Sequence, residues 1–300
     1  MKCLVTGGAG FIGSNLVDKL LSLGHQVIVI DNESSDAHER FYWNSGAENY
    51  KYDICEFEKI EKLFKGVDIV YHIAAEARIQ PAIINPLLAI RSNVLGTCNI
   101  LQASRKHAVS RVIYSSTSSA YGLKNKAPLS ENMKNVCLNP YSVSKVSGEE
   151  LCKMYTKLYN LETVIFRYFN VYGERQPTKG QYAPVIGLFI KQKSQGLPMT
   201  IVGDGLQKRD FTHISDVVRA NLAASDLSNK VCVSEVFNVG TGKNHTIIDL
   251  TSFLKKDKVV HIPPRLGEAR ETLADISKIK NLLGWAPKIK LEDWIRKNLK

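Results

Sequence analysis

Val5-Thr6-Gly7-Gly8-Ala9-Gly10-Phe11-Ile12-Gly13 is the stretch from which the fold of this 300-residue chain is read. It follows the apolar run Cys3-Leu4-Val5 and precedes Leu16, Val17, Leu20, Leu21 and Leu23, which have helical spacing, with Gly24 where a helix C′ glycine stands. The pattern predicts strand, glycine turn, helix. Gly7 permits the tight turn, Gly10 lets backbone N–H groups approach a pyrophosphate, and Gly13 lets the helix pack close on the strand. A second apolar strand, Val27-Ile28-Val29-Ile30, ends at Asp31. A carboxylate there accepts from ribose hydroxyls and repels a 2′-phosphate, so the site predicts NAD rather than NADP.

The rest of the first two thirds continues the alternation. Val67–Ala75 reads as a buried strand, Asn93–His107 as a helix, and Val112-Ile113-Tyr114 as a strand running into Ser115-Ser116-Thr117-Ser118-Ser119. Ser142–Tyr159 reads as a long helix and Thr163–Arg167 as a further strand. The polar stretch Asn32–Ser45 is expected to loop over the adenosine end. These alternations predict an α/β fold, a doubly wound parallel (Rossmann) sheet. After Asn170 the pattern changes: helix at Val185–Ser194, strand at Met199–Val202, helix at Asp216–Ala224, buried strand at Phe237-Asn238-Val239. This predicts a dinucleotide-binding domain over 1–170 and a smaller, interleaved substrate lobe over 171–300, with segments near 203–240 returning to the first.

Composition narrows the class. Hydrophobic content of 44% and charged content of 23% are ordinary for a globular domain. No apolar run reaches the length of a membrane span. The N-terminus enters the first strand without a basic leader or a small-residue cleavage site, so a cytoplasmic protein with no membrane partner is expected. The six cysteines are scattered with no CxxC, which predicts reduced core thiols, and the seven histidines show no metal spacing. The net charge of +11 comes from lysines spread along the chain, a solvated surface suited to phosphorylated substrates rather than a nucleic-acid footprint.

Tyr141-Ser-Val-Ser-Lys145 puts a phenol and an ammonium one helical turn apart. A free tyrosine titrates near pH ~10; a neighbouring ammonium and a cationic nicotinamide ring lower that value and make the phenolate a usable base.

With these residues in place, the chain resembles the extended short-chain dehydrogenase/reductase family, and within it the nucleotide-sugar 4-epimerases. TGGAGFIG (6–13), Asp31, Asp53-Ile54, HIAA (72–75), SSTSSAYG (115–122), YSVSK (141–145), RYFNVYG (167–173), GDGLQKRDFTHISDVV (203–218), RLGE (265–268), LADISK (273–278) and LLGWAPK (282–288) occur in the family's order. The resemblance implies that Tyr141 takes the sugar C4 hydroxyl proton while NAD takes the C4 hydride. Lys145 then bonds the nicotinamide ribose, and Thr117 hydrogen-bonds the sugar O4. It places Asp53 and Ile54 by the adenine and lets the backbone at Ala74 and Ala75 approach the cofactor. Phe11, Ile12, Asn32, Asn93, Ser115 and Tyr168 complete the implied cofactor site. Asn170, Arg209 and Arg265 are implied to hold a uridine diphosphate, with Glu268 near the ribose. The same resemblance implies a homodimer formed through the helices near 93–107 and 142–159.

The departures are informative. The family's dehydratases follow the threonine with Asp-Glu, where this chain has Ser118-Ser119, and related decarboxylases carry a Glu there. Gly267-Glu268 stands for the common Gly-Asp. Thr272 aligns with the position that gates the sugar pocket, and a small residue there implies room for an N-acetyl group. Gly180–Ile190 resembles the version in N-acetyl-accepting relatives. The expected activity is 4-epimerisation of UDP-GlcNAc/UDP-GalNAc and/or UDP-Glc/UDP-Gal through a 4-keto sugar. The alternatives are another nucleotide-sugar enzyme (UDP-glucuronate 4-epimerase, decarboxylase or dehydratase) and a non-catalytic NAD-binding regulator.

Overall fold

A computed structural model describes residues 1–179, 183–255, 258–265, 267 and 269–298. Seven parallel strands form the central sheet: β1 (Lys2–Thr6), β2 (Gln26–Asp31), β3 (Glu48–Lys51), β4 (Ile69–His72), β5 (Arg111–Thr117), β6 (Glu162–Tyr168) and β7 (Val236–Val239). Their order is β7-β6-β5-β4-β1-β2-β3. The order reverses between β1 and β4, so a crevice opens beyond the C-terminal ends of those two strands. The doubly wound sheet expected from the alternation is what the chain forms.

The apolar runs are continuous because both faces of the sheet are covered. On one face Cys3, Val5, Val27 and Val29 pack with Leu16, Val17 and Leu20 of helix α1 (Phe11–Ser22). On the other, Leu4, Ile28 and Ile30 pack in one cluster with Ile100 and Leu101 of α2 (Gly96–Lys106) and Cys152 and Tyr155 of α3 (Pro140–Tyr159). Successive residues of one strand thus serve two cores, the period of two that a strand imposes. Helix α4 (Ile214–Ala224) places Ile214, Val217 and Val218 in the first cluster, together with Phe237 and Val239 of β7 and with Ile279 and Trp285 near the end of the chain. A separate cluster, with Tyr172, Ile186, Phe189, Met199, Ile201, Phe211, Ile247, Leu250, Leu291 and Ile295, forms the core of the remaining C-terminal residues.

Three local readings change. The expected strand at Val67–Ala75 spans only Ile69–His72. Residues 73–75 leave the sheet at Thr6: Ile73 N bonds both the Thr6 carbonyl and its hydroxyl (3.2 Å each), and Ala74 N bonds the hydroxyl (3.2 Å). Residues 79–95, which carry Pro81 and Pro86, form two short helices (Ile79–Ile84, Pro86–Ile90) and a π-helical stretch (Arg91–Leu95) ahead of α2. The Asn32–Ser45 loop reaches the C-terminal residues: Ala37 O accepts from Lys179 N at 3.2 Å, and Glu39 pairs with Lys191 at 2.7 Å. All six cysteines are free, and Cys3, Cys152 and Cys232 are buried. No helix among the described residues is long and apolar enough to cross a membrane.

Candidate active site

The glycine loop is shaped by close backbone approach. Gly7 has φ +67°, and a Cβ on it would stand 2.8 Å from Ala74 N. A Cβ on Gly13 would stand 2.1 Å from Gly7 O. Gly8, which the spacing pattern did not single out, admits no side chain either, because Val29 Cγ1 lies 2.6 Å from its Cβ position. Gly10 differs: the nearest atoms to its Cβ position, Gly7 O at 3.5 Å and His38 Nε2 at 3.6 Å, are at ordinary contact distance. Gly10 is also the N-cap of α1 without a side-chain cap, and no acidic residue occupies the first turn. Uncapped N–H groups at a helix N-terminus suit the phosphates of a dinucleotide. Phe11, buried, and Ile12, half-buried, begin that helix.

Asp31 stands at the end of β2 with both carboxylate oxygens engaged, by Ala9 N (3.0 Å) and Glu33 N (2.8 Å). Burial pushes its carboxyl above the ordinary value while these amides oppose the shift. Each oxygen keeps a lone pair for a ribose hydroxyl. Exposed Asn32 accepts from Ser34 N (3.1 Å). Asp53 accepts from Cys55 N (2.8 Å) and pairs with Arg91 at 3.5 Å, and Ile54 is buried against Gly96. These residues and the glycine loop fit a dinucleotide on the β1–β2 side of the crevice.

On the other side stand the candidate reacting groups. Thr117 ends β5 and accepts from Ser119 N (3.1 Å) as the chain turns into the 3-10 helix Ser118–Tyr121. Asn139 and Ser142 form a reciprocal capping box, and Pro140 occupies the first turn of α3. This fixes Tyr141 at the helix start and Lys145 one turn on. The Thr117 hydroxyl favours the Tyr141 phenolate, but burial outweighs it and Glu76 adds to the rise. Tyr141 therefore lies above its usual value, opposite to the expected lowering. Lys145 is buried, its amine 4.3 Å from the Tyr114 ring centroid, and burial brings it down to about 7 against the opposing charge of Glu149. Desolvation is the largest influence on both groups.

Several supporting residues, among them Thr97, Ser144, Glu149 and Asn221, went unread in the sequence. Thr97 donates to Asn93 O (2.7 Å), so it accepts from His72 Nε2 (2.9 Å), and His72 Nδ1 accepts from Thr6 (2.7 Å). One tautomer of a buried histidine thus ties the ends of β1 and β4 to α2. The Asn93 amide bonds both backbone groups of Glu76 (2.8 and 3.0 Å) and Ser144 Oγ (2.9 Å), which places the Ala74-Ala75 segment against α3. Ser115 and Tyr168 bond one another (3.2 Å), and Asn221 donates to the same phenol (2.8 Å). Behind α3, buried Glu149 holds Arg167 through Nε and Nη2 (2.8 and 2.6 Å), and Gly148 leaves room for the Tyr114 hydroxyl, 2.1 Å from its Cβ position.

A cleft of about 410 Å³ gathers Asn170, Arg209 and Arg265, residues far apart along the chain, with Arg78, Tyr172 and Phe211. Asn139 Nδ2 donates to Gly267 O (3.2 Å), which links the start of α3 to the Arg265 loop. Thr272 is buried behind Asn170: its hydroxyl accepts from Asn170 Nδ2 (3.2 Å) and Asp210 N (3.3 Å). Glu268 and residues 180–182 of the Gly180–Ile190 stretch lie outside the described residues. Among the described residues, no group of three or more His, Cys, Asp or Glu forms a metal site.

A glycine-cradled crevice beside a Thr–Tyr–Lys set is the constellation of a nicotinamide-dependent sugar-modifying enzyme. Residues 3–240 match the NAD dependent epimerase/dehydratase family, and the chain belongs to that family, with NAD as its cofactor. It is similar to the UDP-glucuronate 4-epimerase of Thermodesulfobacterium geofontis (35% identity, over 99% of this chain and 94% of that one). Among solved structures it is similar to a UDP-glucose 4-epimerase of Thermotoga maritima with UDP-glucose (TM-score 0.93, 37% identity, all of both chains). It is also similar to the UDP-N-acetylglucosamine 4-epimerase of Methanobrevibacter ruminantium in complex with UDP-N-acetylmuramic acid (TM-score 0.91, 33% identity, 99% of this chain and 96% of that one).

Proposed function

We propose that this chain is a UDP-sugar 4-epimerase whose sugar pocket admits a 2-N-acetyl group, so that UDP-GlcNAc and UDP-GalNAc are interconverted, beside UDP-Glc and UDP-Gal. The carrying observation is Thr117, at the C-terminal end of β5, acting on the Tyr141 phenol, with buried Lys145 one helical turn along α3. Thr117 orients the sugar O4, and Tyr141 takes its proton. Bound NAD supplies the hydride acceptor for C4 and later its return. The 4-keto sugar turns over in the site, and Tyr141 gives the proton back to O4. Ser118 and Ser119 offer no carboxylate for eliminating water, which favours epimerisation over dehydration.

Gly7, Gly10, Phe11, Ile12 and Gly13 hold the dinucleotide phosphates, Asp31 and Asn32 its ribose, and Asp53 and Ile54 its adenine. Ala74, Ala75, Asn93, Ser115, Lys145 and Tyr168 shape the nicotinamide end. Asn170, Arg209 and Arg265 hold the uridine diphosphate, and Glu268 the ribose. Planar guanidinium forks suit that role. The N-acetyl reading is supported by Thr272, a small buried residue bonded to Asn170 of the cleft, where a bulky aromatic would drive into Asn170. Residues 1–170 form the dinucleotide domain and 171–300 the substrate lobe, with β7 and α4 returned to the sheet. The enzyme works in the cytoplasm as a homodimer. The short helices over 79–95 pack on α3 and, with it, leave Ile84, Leu87, Leu88, Leu95, Val143 and Leu158 exposed, an apolar set that a second copy would cover.

The test is separate incubation with UDP-GlcNAc, UDP-Glc and UDP-glucuronate, without added NAD, followed by proton NMR of the anomeric region. Appearance of the galacto epimer at unchanged mass is expected from the first two. Ready turnover of UDP-Glc with none of UDP-GlcNAc would overturn the N-acetyl reading. Turnover of UDP-glucuronate alone would reassign the substrate.

A further inference from the structure

We propose that Arg78 is a further diphosphate-binding residue of the substrate cleft, a third guanidinium beside Arg209 and Arg265, which exchanges Asp36 for phosphate oxygens when the nucleotide-sugar binds. The proposal rests on the nucleoside-diphosphate reading of that cleft.

Arg78 lines the cleft together with Arg209, Arg265 and Asn170, although it comes from the N-terminal half and follows directly on the Ala74–Glu76 segment. Its side chain is mostly buried, 20% exposed, whereas its carboxylate partner Asp36 is 81% exposed. A pair whose anion hangs in solvent is weak. A diphosphate in the cleft offers charge-assisted, bidentate geometry out of bulk water, which is the stronger partner for a planar fork.

The position of Arg78 is also informative. Its charge lowers both the Glu76 carboxyl and the His38 imidazole, although burial is the larger influence on each. His38 Nε2 in turn lies 3.6 Å from the Cβ position of Gly10. Arg78 thus stands between the substrate cleft and the glycine cradle. Asp36 belongs to the Asn32–Ser45 loop, which Lys179 and Lys191 also hold through Ala37 and Glu39. That loop keeps these two anchors when Arg78 leaves Asp36, so the exchange requires no refolding.

The experiment uses the purified holoenzyme with UDP as the probe, read by titration calorimetry, together with KM, kcat and bound NAD after desalting. Arg78→Gln is expected to weaken UDP binding by about tenfold to a hundredfold, and to raise KM with kcat held, as loss of a charge-assisted bidentate contact implies. Arg78→Lys should recover part of the loss, because it restores charge without the fork. Asp36→Asn removes the competing anion and leaves Arg78, so UDP binding should hold or tighten. UDP affinity of Arg78→Gln equal to wild type would overturn the proposal. So would a loss in Asp36→Asn as large as in Arg78→Gln, which would make the pair a structural unit. Wild-type protein that retains NAD but binds no UDP would instead overturn the uridine-nucleotide reading, and this role with it.

Discussion

Tyr141 is held at the start of α3 beside Thr117, in surroundings whose burial raises its pKa. Tyr141→Phe removes the only group assigned to the O4 proton. We expect kcat to fall by roughly 10²–10⁴, the range for loss of a general base, with UDP affinity unchanged by calorimetry. Lys145 carries a second test. Its pKa is about 7 in the fold against 10.5 for an ordinary lysine, so below pH 7 the folded and unfolded chains both hold the proton and the fold bears the full cost of a buried ammonium. Between those values the unfolded chain alone holds it, and stability rises with pH. NAD-free Lys145→Met should therefore melt above NAD-free wild type at pH 6 and lose that advantage toward pH 10. His72 runs the same way from the same cause, at lower pH: burial holds it down to about 3. Between its ordinary 6.5 and 3 the unfolded chain takes the proton first, so its contribution is lost as pH falls through that window, and His72→Gln should flatten the acid limb of a Tm–pH curve.

The glycine loop and the α3 cap act as elements, and their failures differ. Gly13→Ala sets a methyl against the Gly7 carbonyl, backbone on backbone, which a rotamer change cannot relieve. It should cost about 3 kcal/mol or more and abolish NAD retention, read by denaturant melts and by nucleotide released on acid precipitation. Asn139→Ala removes the α3 cap and the tie to Gly267. The cap loss is worth about 1 kcal/mol, roughly 2 °C in Tm for a chain of this size. The larger effect should be a raised KM for the UDP-sugar, because the Arg265 loop loses its hold on the helix that carries Tyr141 and Lys145. The glycine spacing was legible in the chain; the Asn139-Pro140 start was not read, and the helix expected from Ser142 begins two residues earlier. The short helices over 79–95 were not legible, because prolines punctuate them and their packing on α3 is tertiary.

At the scale of the whole molecule, the sheet is a scaffold whose β1/β4 switch point sets the crevice, and the C-terminal residues close a second cleft against it. The apolar residues left exposed over 79–95 and α3 belong to this scale. Leu87→Glu combined with Leu158→Glu should convert the dimer to monomer by light scattering, with each change near neutral in the monomer's melting because both side chains are largely solvent-exposed. A wild-type protein that is monomeric at micromolar concentration would remove the interface assignment.

The amino-acid sequence by itself determined the parallel sheet, the glycine turn and the one-turn spacing of Tyr141 and Lys145, because each is written in short-range spacing: period two, period three to four, and glycines where no Cβ fits. It also carried Asn170, Arg209 and Arg265 through resemblance. Only the tertiary structure decided that those three share one cleft with Arg78, that His72 locks Thr6 to Thr97, and that Glu149 holds Arg167 behind the site. These contacts join residues that no local period links. Burial and desolvation, which set the charges of Tyr141 and Lys145, exist only once the chain has closed around them.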